Sequence, residues 1–278
     1  MMKSTFKAII FLMIIFVILA GCSNPTGSQQ KSTSEQSTPV QSPLKGLTYG
    51  RINPGTGYDG DGYYYSYWAS NGGSGITVNM TGDHGYNTTC NNLNGGFVAG
   101  KGWSTGTSSR FFFYVCFDFY SSYGGAFGLY GWTQSPLIEY YICDQTGAVQ
   151  GPHNSSEEKN GNGHYLVGSV TSWGSTYDIY SHFRDGFPSI EGDTTQFWQY
   201  ISKNRTARMY GMINMQDHIN AWANCWKNPY NHNLGKMTIG YHNYQILFTE
   251  MWSPQDVNGN PLSGQYVNGS SNAYLEIY

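Results

Sequence analysis

The chain is short of charge. Of 278 residues, 14 are Lys or Arg and 17 are Asp or Glu, so charged side chains make up 11%, against roughly 25% in an average globular domain. That shortage excludes a basic face for nucleic acid, and with 17% aromatics the chain is not a disordered acidic one either. No CxxC and no CxxC…HxxxH spacing occurs, and the 7 His do not cluster. The sequence therefore predicts no metal site and no cofactor. No segment repeats with a period of 20–50 residues, which disfavours a propeller or a solenoid. What the chain does have is 24 Tyr, 8 Trp, 14 Phe and 36 Gly. Tyr and Trp combine a flat apolar face with a polar edge. That chemistry suits an uncharged, hydroxyl-rich ligand such as a sugar chain, although all-β proteins also use aromatics in their strands.

The N-terminus reads as a targeting segment. Lys3 and Lys7 precede an apolar run from Ala8 to Leu19, shorter than the roughly 20 residues a spanning helix needs. The run ends in Leu19-Ala20-Gly21-Cys22, which resembles the lipobox of bacterial lipoproteins. That resemblance implies removal of residues 1–21, lipidation of Cys22 and attachment to a membrane at the cell surface. Residues 22–46 are rich in Ser, Thr, Gln and Pro and, after Cys22, hold no aromatic, so they are expected to be a flexible tether spanning on the order of 25 Å. The remaining cysteines, Cys90, Cys116, Cys143 and Cys225, allow three disulfide pairings, and the sequence does not choose among them.

Residues 47–278 alternate short strand-like runs with Gly, Asn and Ser clusters. Predicted strands are 62–69, 76–81, 86–90, 96–101, 110–120, 126–133, 138–144, 164–173, 176–184, 199–202, 210–214, 244–252 and 273–278. One helix is predicted over 214–226, with Asn214 as its N-cap and Ile219, Trp222 and Ala223 at helical spacing. Many strands and one helix argue for an all-β sandwich of jelly-roll type built from two twisted antiparallel sheets.

Two strands carry a lone acid among aromatics. In YGWTQSPLIEYY (130–141), Glu139 and Tyr141 share one face while Ile138, Tyr140 and Ile142 take the other. In YQILFTEMW (244–252), Glu250 shares a face with Tyr244, Ile246, Phe248 and Trp252. Burial raises the pKa of such an acid, and two in one cleft raise one further. This is the pattern glycoside hydrolysis uses, with one carboxylate as nucleophile and one carboxylic acid as proton donor. A half-buried Glu at a sheet edge gives the same sequence pattern with no chemistry attached.

With these blocks in view the sequence resembles glycoside hydrolase family 11, the jelly-roll endo-β-1,4-xylanases, from about Ile52 to Tyr278. The blocks are NPGTGYDGDGYYYSYW (53–68), GFVAGKGW (96–103), YGWTQSPLIEYY (130–141), YDIYSHFRDGFPSIEGD (177–193), HINAW (218–222) and YQILFTE (244–250). The resemblance implies a retaining enzyme with a thumb hairpin, acting as a monomer on xylan and xylo-oligosaccharides without nucleic acid. It implies Glu139 as nucleophile and Glu250 as acid/base, their carboxyl groups about 5–5.5 Å apart. It implies Tyr130 and Tyr141 beside the nucleophile, and Trp68 and Tyr244 at the second glycone subsite. Arg184 is expected near Glu139, Pro188, Ser189 and Ile190 at the thumb tip, and Gln199 on sugar hydroxyls. The competing expectations are a β-1,4-glucanase of the related jelly-roll clan and a sugar-binding lipoprotein without turnover.

Four departures from the family pattern stand out. Gly96 occupies the usual Asn/Asp position before the Phe97-Val98 pair, leaving Asn94 or water to contact the acid/base. The stretch between Trp222 and Tyr244, with Cys225, Trp226 and His232, is long. So is 253–272, where Asp256, Asn258, Gly259 and Asn260 form a turn-rich loop read as decoration or a weak calcium site. Ile201 stands where many relatives have Trp.

Overall fold

The computed structural model describes residues 47–149, 151, 164–256 and 260–276. Residues 1–46, with the leader, Cys22 and the tether, lie outside the described residues. In chain order the strands are β1 (Leu47–Thr48), β2 (Gly50–Ile52), β3 (Gly55–Asp59), β4 (Tyr64–Ala69), β5 (Ile76–Met80), β6 (Gly85–Leu93), β7 (Gly96–Trp103) and β8 (Phe111–Ser121). They continue with β9 (Gly124–Gln134), β10 (Ile138–Thr146), β11 (His164–Ser172), β12 (Ser175–Ser189), β13 (Gly192–Asn204), β14 (Tyr210–Asn214), β15 (Tyr241–Trp252) and β16 (Val267–Glu276). A single α-helix, α1 (Met215–Asn224), and a 3-10 turn, His232–Leu234, complete the secondary structure among the described residues.

These strands form two sheets, the larger ordered β1-β3-β4-β7-β15-β9-β10-β13-β12-β11 and the smaller β14-β8-β16-β6-β5-β2. The jelly-roll expectation is met, with one correction. The larger sheet is mixed, because β1 runs parallel to β3 and β10 parallel to β13. Strand periodicity explains the layering. In β5 the pattern Ile76-Thr77-Val78-Asn79-Met80 buries every second residue. In β10 both faces are buried, because one face meets the core and the other floors a cleft.

Two apolar clusters follow. The main core includes Phe112, Tyr114, Phe127, Tyr140, Tyr177 and Trp222. The second, on the opposite face of the large sheet, includes Tyr130, Trp132, Tyr141, Tyr180, Phe197, Ile201, Tyr244 and Phe248. Helix α1 starts as read: Asn214 caps it by accepting from the Gln216 amide, and Met215, His218 and Trp222 form its buried side. It ends at Asn224 because Cys225 turns to extended backbone.

Charge inside the fold is neutralised locally. Lys101 is fully buried against Asp59, with Asp61 at 3.5 Å and the Gly85 carbonyl at 3.1 Å. Asp144 accepts from Tyr114 (2.5 Å), Tyr177 (2.7 Å), Asn204 (2.8 Å) and Arg208 (3.0 Å). Removing one partner from either group would leave an uncompensated buried charge. Cys90, Cys116, Cys143 and Cys225 are all free thiols, so none of the three possible pairings forms.

Candidate active site

Glu139 lies near the middle of the large sheet, on β10. Its neighbours across the strands are Trp132 on β9 and Gln199 on β13. Only 7% of it is exposed. Tyr130 and Tyr141 donate to its Oε1 at 2.6 and 2.9 Å, and Gln199 Nε2 donates to Oε2 at 2.6 Å. Trp132 Nε1 donates in turn to the Tyr130 hydroxyl at 2.7 Å, so that hydroxyl's own hydrogen is directed at the carboxylate. Burial raises the Glu139 pKa, while the three hydrogen bonds and the nearby Arg184 cation oppose that rise. All four opposing influences favour the ionised form.

Glu250 comes from β15, opposite Val98 on β7 and Ala126 on β9. Its pKa is pushed up to about 8, first by burial and then by the charge of Glu139; Arg184 and the Tyr141 hydroxyl work against the shift. Tyr141 thus serves both carboxyl groups. The two acids differ in the way acid–base chemistry requires: one is dressed with donors and ionises, the other keeps its proton near neutral pH.

The remaining residues named from sequence gather around this pair. Tyr244 is buried on β15, its ring centroid 6.0 Å from Tyr130 and 5.5 Å from Tyr64. Trp68 is 47% exposed on β4, across from Val98, so its ring is open to a stacking partner. Arg184 on β12 lies with its guanidinium carbon 3.5 Å from the Phe187 ring centre. Ser189 ends β12, pairs with Gly192, and accepts from the Glu191 amide at 3.0 Å. Pro188 and Ile190 flank it at the hairpin tip, and Ile190 packs against the cleft cluster. Gln134 Nε2 donates to Glu191 at 3.0 Å, tying that tip to the end of β9. Ile201 is buried in the cleft floor, level with Tyr141 and Tyr180.

Two sequence expectations are modified. The amide of Gln199, read as a ligand for sugar hydroxyls, is engaged on both sides: Nε2 with Glu139 and Oε1 with His182 Nδ1 at 2.8 Å. Asn94 does not stand in for the residue missing at 96, because its Nδ2 donates to the carbonyls of Leu262 and Gln265. Gly96 itself pairs with Trp252, two positions from Glu250, and a Cβ there would sit 3.4 Å from Trp252 Cβ. The 253–272 stretch, of which 257–259 lie outside the described residues, folds on itself: Asp256 accepts from Asn260. No cluster of three metal-binding side chains occurs among the described residues. In the other long stretch Trp226 stacks on His232 at 4.3 Å with Lys236 over the Trp226 ring, and the Lys227 carbonyl accepts from Ser181 on β12.

Sequence reasoning did not single out Trp132, Tyr64, His182 or the Gln134–Glu191 link. Trp132 shares the period-2 face of Tyr130, a signal that was available. The others depend on which strands are neighbours.

The profile of Glycosyl hydrolases family 11 matches residues 60–259. An ethylene-inducing xylanase of Penicillium digitatum is 40% identical over 190 residues, covering 68% of this chain and 77% of that one. Endo-1,4-β-xylanase A of Schizophyllum commune is 38% identical over 200 residues, covering 70% of this chain and 90% of that one. A solved structure from a comparison of two major endo-1,4-β-xylanases of Trichoderma reesei superposes with a TM-score of 0.53 at 30% identity, covering 81% of this chain and 97% of that one.

Proposed function

Because this chain belongs to glycosyl hydrolases family 11, we propose that Glu139 and Glu250 are the working pair of its cleft. The protein is an endo-1,4-β-xylanase that hydrolyses β-1,4-xylosidic bonds within xylan. In the first step Glu139 attacks the anomeric carbon of a xylose unit while Glu250 protonates the departing glycosidic oxygen. A glycosyl ester on Glu139 results. In the second step Glu250, now a carboxylate, takes a proton from water, and the water oxygen displaces Glu139 with net retention. Retention needs the two carboxyl groups about 5–5.5 Å apart, a spacing that one shared hydroxyl can bridge. The observation that carries the assignment is the contrast across Tyr141: three donors on Glu139, and a pKa of about 8 on Glu250.

The surrounding side chains support the roles read from sequence. Trp68 offers a face for one pyranose, and Tyr244 lines the same side of the cleft. The Pro188-Ser189-Ile190 tip, whose Ile190 packs against the cleft cluster, would cover the bound chain. Xylose lacks the hydroxymethyl group of glucose, so a thumb closing on a narrow cleft favours xylan over a glucan. The test is reducing-sugar release by the purified protein on xylan, with cellulose as control. Release from xylan alone, abolished by Glu139→Gln, is the expected result. A Glu139→Gln variant that keeps turnover would remove Glu139 from the nucleophile role.

The N-terminal reading belongs to the same proposal. Residues 1–21 act as leader, Cys22 takes the lipid, residues 22–46 form the tether and residues 47–278 the catalytic domain, held as a monomer at the cell surface. Cys22→Ser should move activity from the membrane fraction to the medium; activity that stays with membranes would refute lipid anchoring.

A further inference from the structure

The two-step mechanism makes no use of His182. This residue sits on β12, two positions before Arg184, and is 5% exposed. It stands directly opposite Gln199 on β13, and Gln199 stands directly opposite Glu139 on β10. Three side chains therefore form a row across three strands, joined by hydrogen bonds of 2.8 Å (His182 Nδ1 to Gln199 Oε1) and 2.6 Å (Gln199 Nε2 to Glu139 Oε2).

Chemistry fixes the direction of both bonds. An ionised carboxylate only accepts, so the amide must turn its NH2 toward Glu139. The amide oxygen then faces His182, and it too only accepts. The Nδ1 of His182 must therefore carry a hydrogen. Nothing within Gln199 selects this orientation, because its terminal torsion is broad and roughly two-fold. Turned by half a rotation, the amide would put its oxygen against the carboxylate, replacing a donor by a repelling acceptor.

We propose that His182 is a positioning residue for the nucleophile: its Nδ1–H holds the Gln199 amide in the one orientation that donates to Glu139. The proposal rests on Glu139 being the nucleophile, which Glu139→Gln tests separately. Other groups facing Glu139 are Tyr130 from β9, Tyr141 from its own strand, Arg184 from β12 and Glu250 from β15. Among the described residues, Gln199 on β13 faces His182, and Arg184 lies farther along its own strand.

Two measurements test the assignment. Nitrogen-15 NMR of the histidine-labelled parent reads the tautomer without any variant. Nδ1 of His182 should carry its hydrogen across the active pH range, and a bare Nδ1 would overturn the proposal. Kinetics then test the consequence. In His182→Ala, kcat on a xylo-oligosaccharide should fall about tenfold, the loss of one well-aligned hydrogen bond to a charged group's partner, with KM nearly unchanged. The acid limb of kcat/KM should move to higher pH, because Glu139 loses a donor. His182→Asn, whose side-chain N–H can stand near the Nδ1 position, should restore most of both. Added to Gln199→Ala, His182→Ala should cost nothing further. An acid limb that stays in place in His182→Ala, or full additivity with Gln199→Ala, would reduce His182 to a packing residue.

Discussion

Glu139 and Glu250 are chemically identical side chains on neighbouring parts of one sheet, and their surroundings make them opposites. Since Glu250 must be protonated to act as acid and its pKa is about 8, kcat/KM should fall as pH rises through that region. It should fall again on the acid side, where Glu139 takes up a proton. Glu250→Gln should lower kcat about 10²–10⁴-fold and remove the basic limb; a pH–rate profile of the variant reads both. Arg184 lowers the pKa of both acids, so Arg184→Gln should shift the whole bell to higher pH. An unchanged acid limb would show that Arg184 acts only through its packing on Phe187. Period-2 alternation within each strand paired Glu139 with Tyr141 and Glu250 with Tyr244, whereas Tyr130 beside the nucleophile was legible only through the family resemblance. His182 was not, since its meaning lies in a partner 17 residues away, opposite it only in the β12–β13 register.

At the scale of elements, the Gln134–Glu191 bond ties the tip of the β12–β13 hairpin to the end of β9. Glu191 is exposed, so the bond is worth little to stability. Glu191→Ala should leave the melting temperature within about a degree or two while raising KM for xylan; initial-rate kinetics against substrate concentration would show it. Most strands were legible from their alternation. Strand β13 was read as starting at Gln199, but it begins at Gly192, because the exposed segment Gly192-Asp193-Thr194-Thr195 has no apolar face to betray a strand. Strand β2 was missed because Gly50-Arg51-Ile52 is too short to show alternation, and β3 because NPGTG reads as turn; pairing with β5 and β4 is what extends them.

For the molecule as a whole, acid is the expected weakness, through a buried histidine that takes no part in catalysis. His218 on α1 is buried against Tyr177 at 4.8 Å, and neither ring nitrogen has a hydrogen-bond partner among the described residues. Burial, aided by the Arg208 charge, pushes its pKa down to about 3. An unfolded His titrates near 6.5. Between those values the unfolded chain binds a proton that the native chain refuses, so stability is full above about pH 6.5 and is lost as pH falls toward 3. His218→Phe should flatten that decline in thermal melts between pH 7 and 4; a slope equal to the parent's would place the acid sensitivity elsewhere.

The parallel pairing of β10 with β13 has a consequence in time. Parallel neighbours cannot be joined by a tight turn, and here Glu139 meets a residue 60 positions further along the chain. Its acid/base partner on β15 comes later still. Closing such long loops is slow, and ordering them is costly until the late contacts form. Tyr130 and Tyr141 are near Glu139 in the chain, but the Gln199 donor and β15 reach it only with the last long-range pairings, so recovered activity, more than recovered secondary structure, marks the moment the molecule is finished.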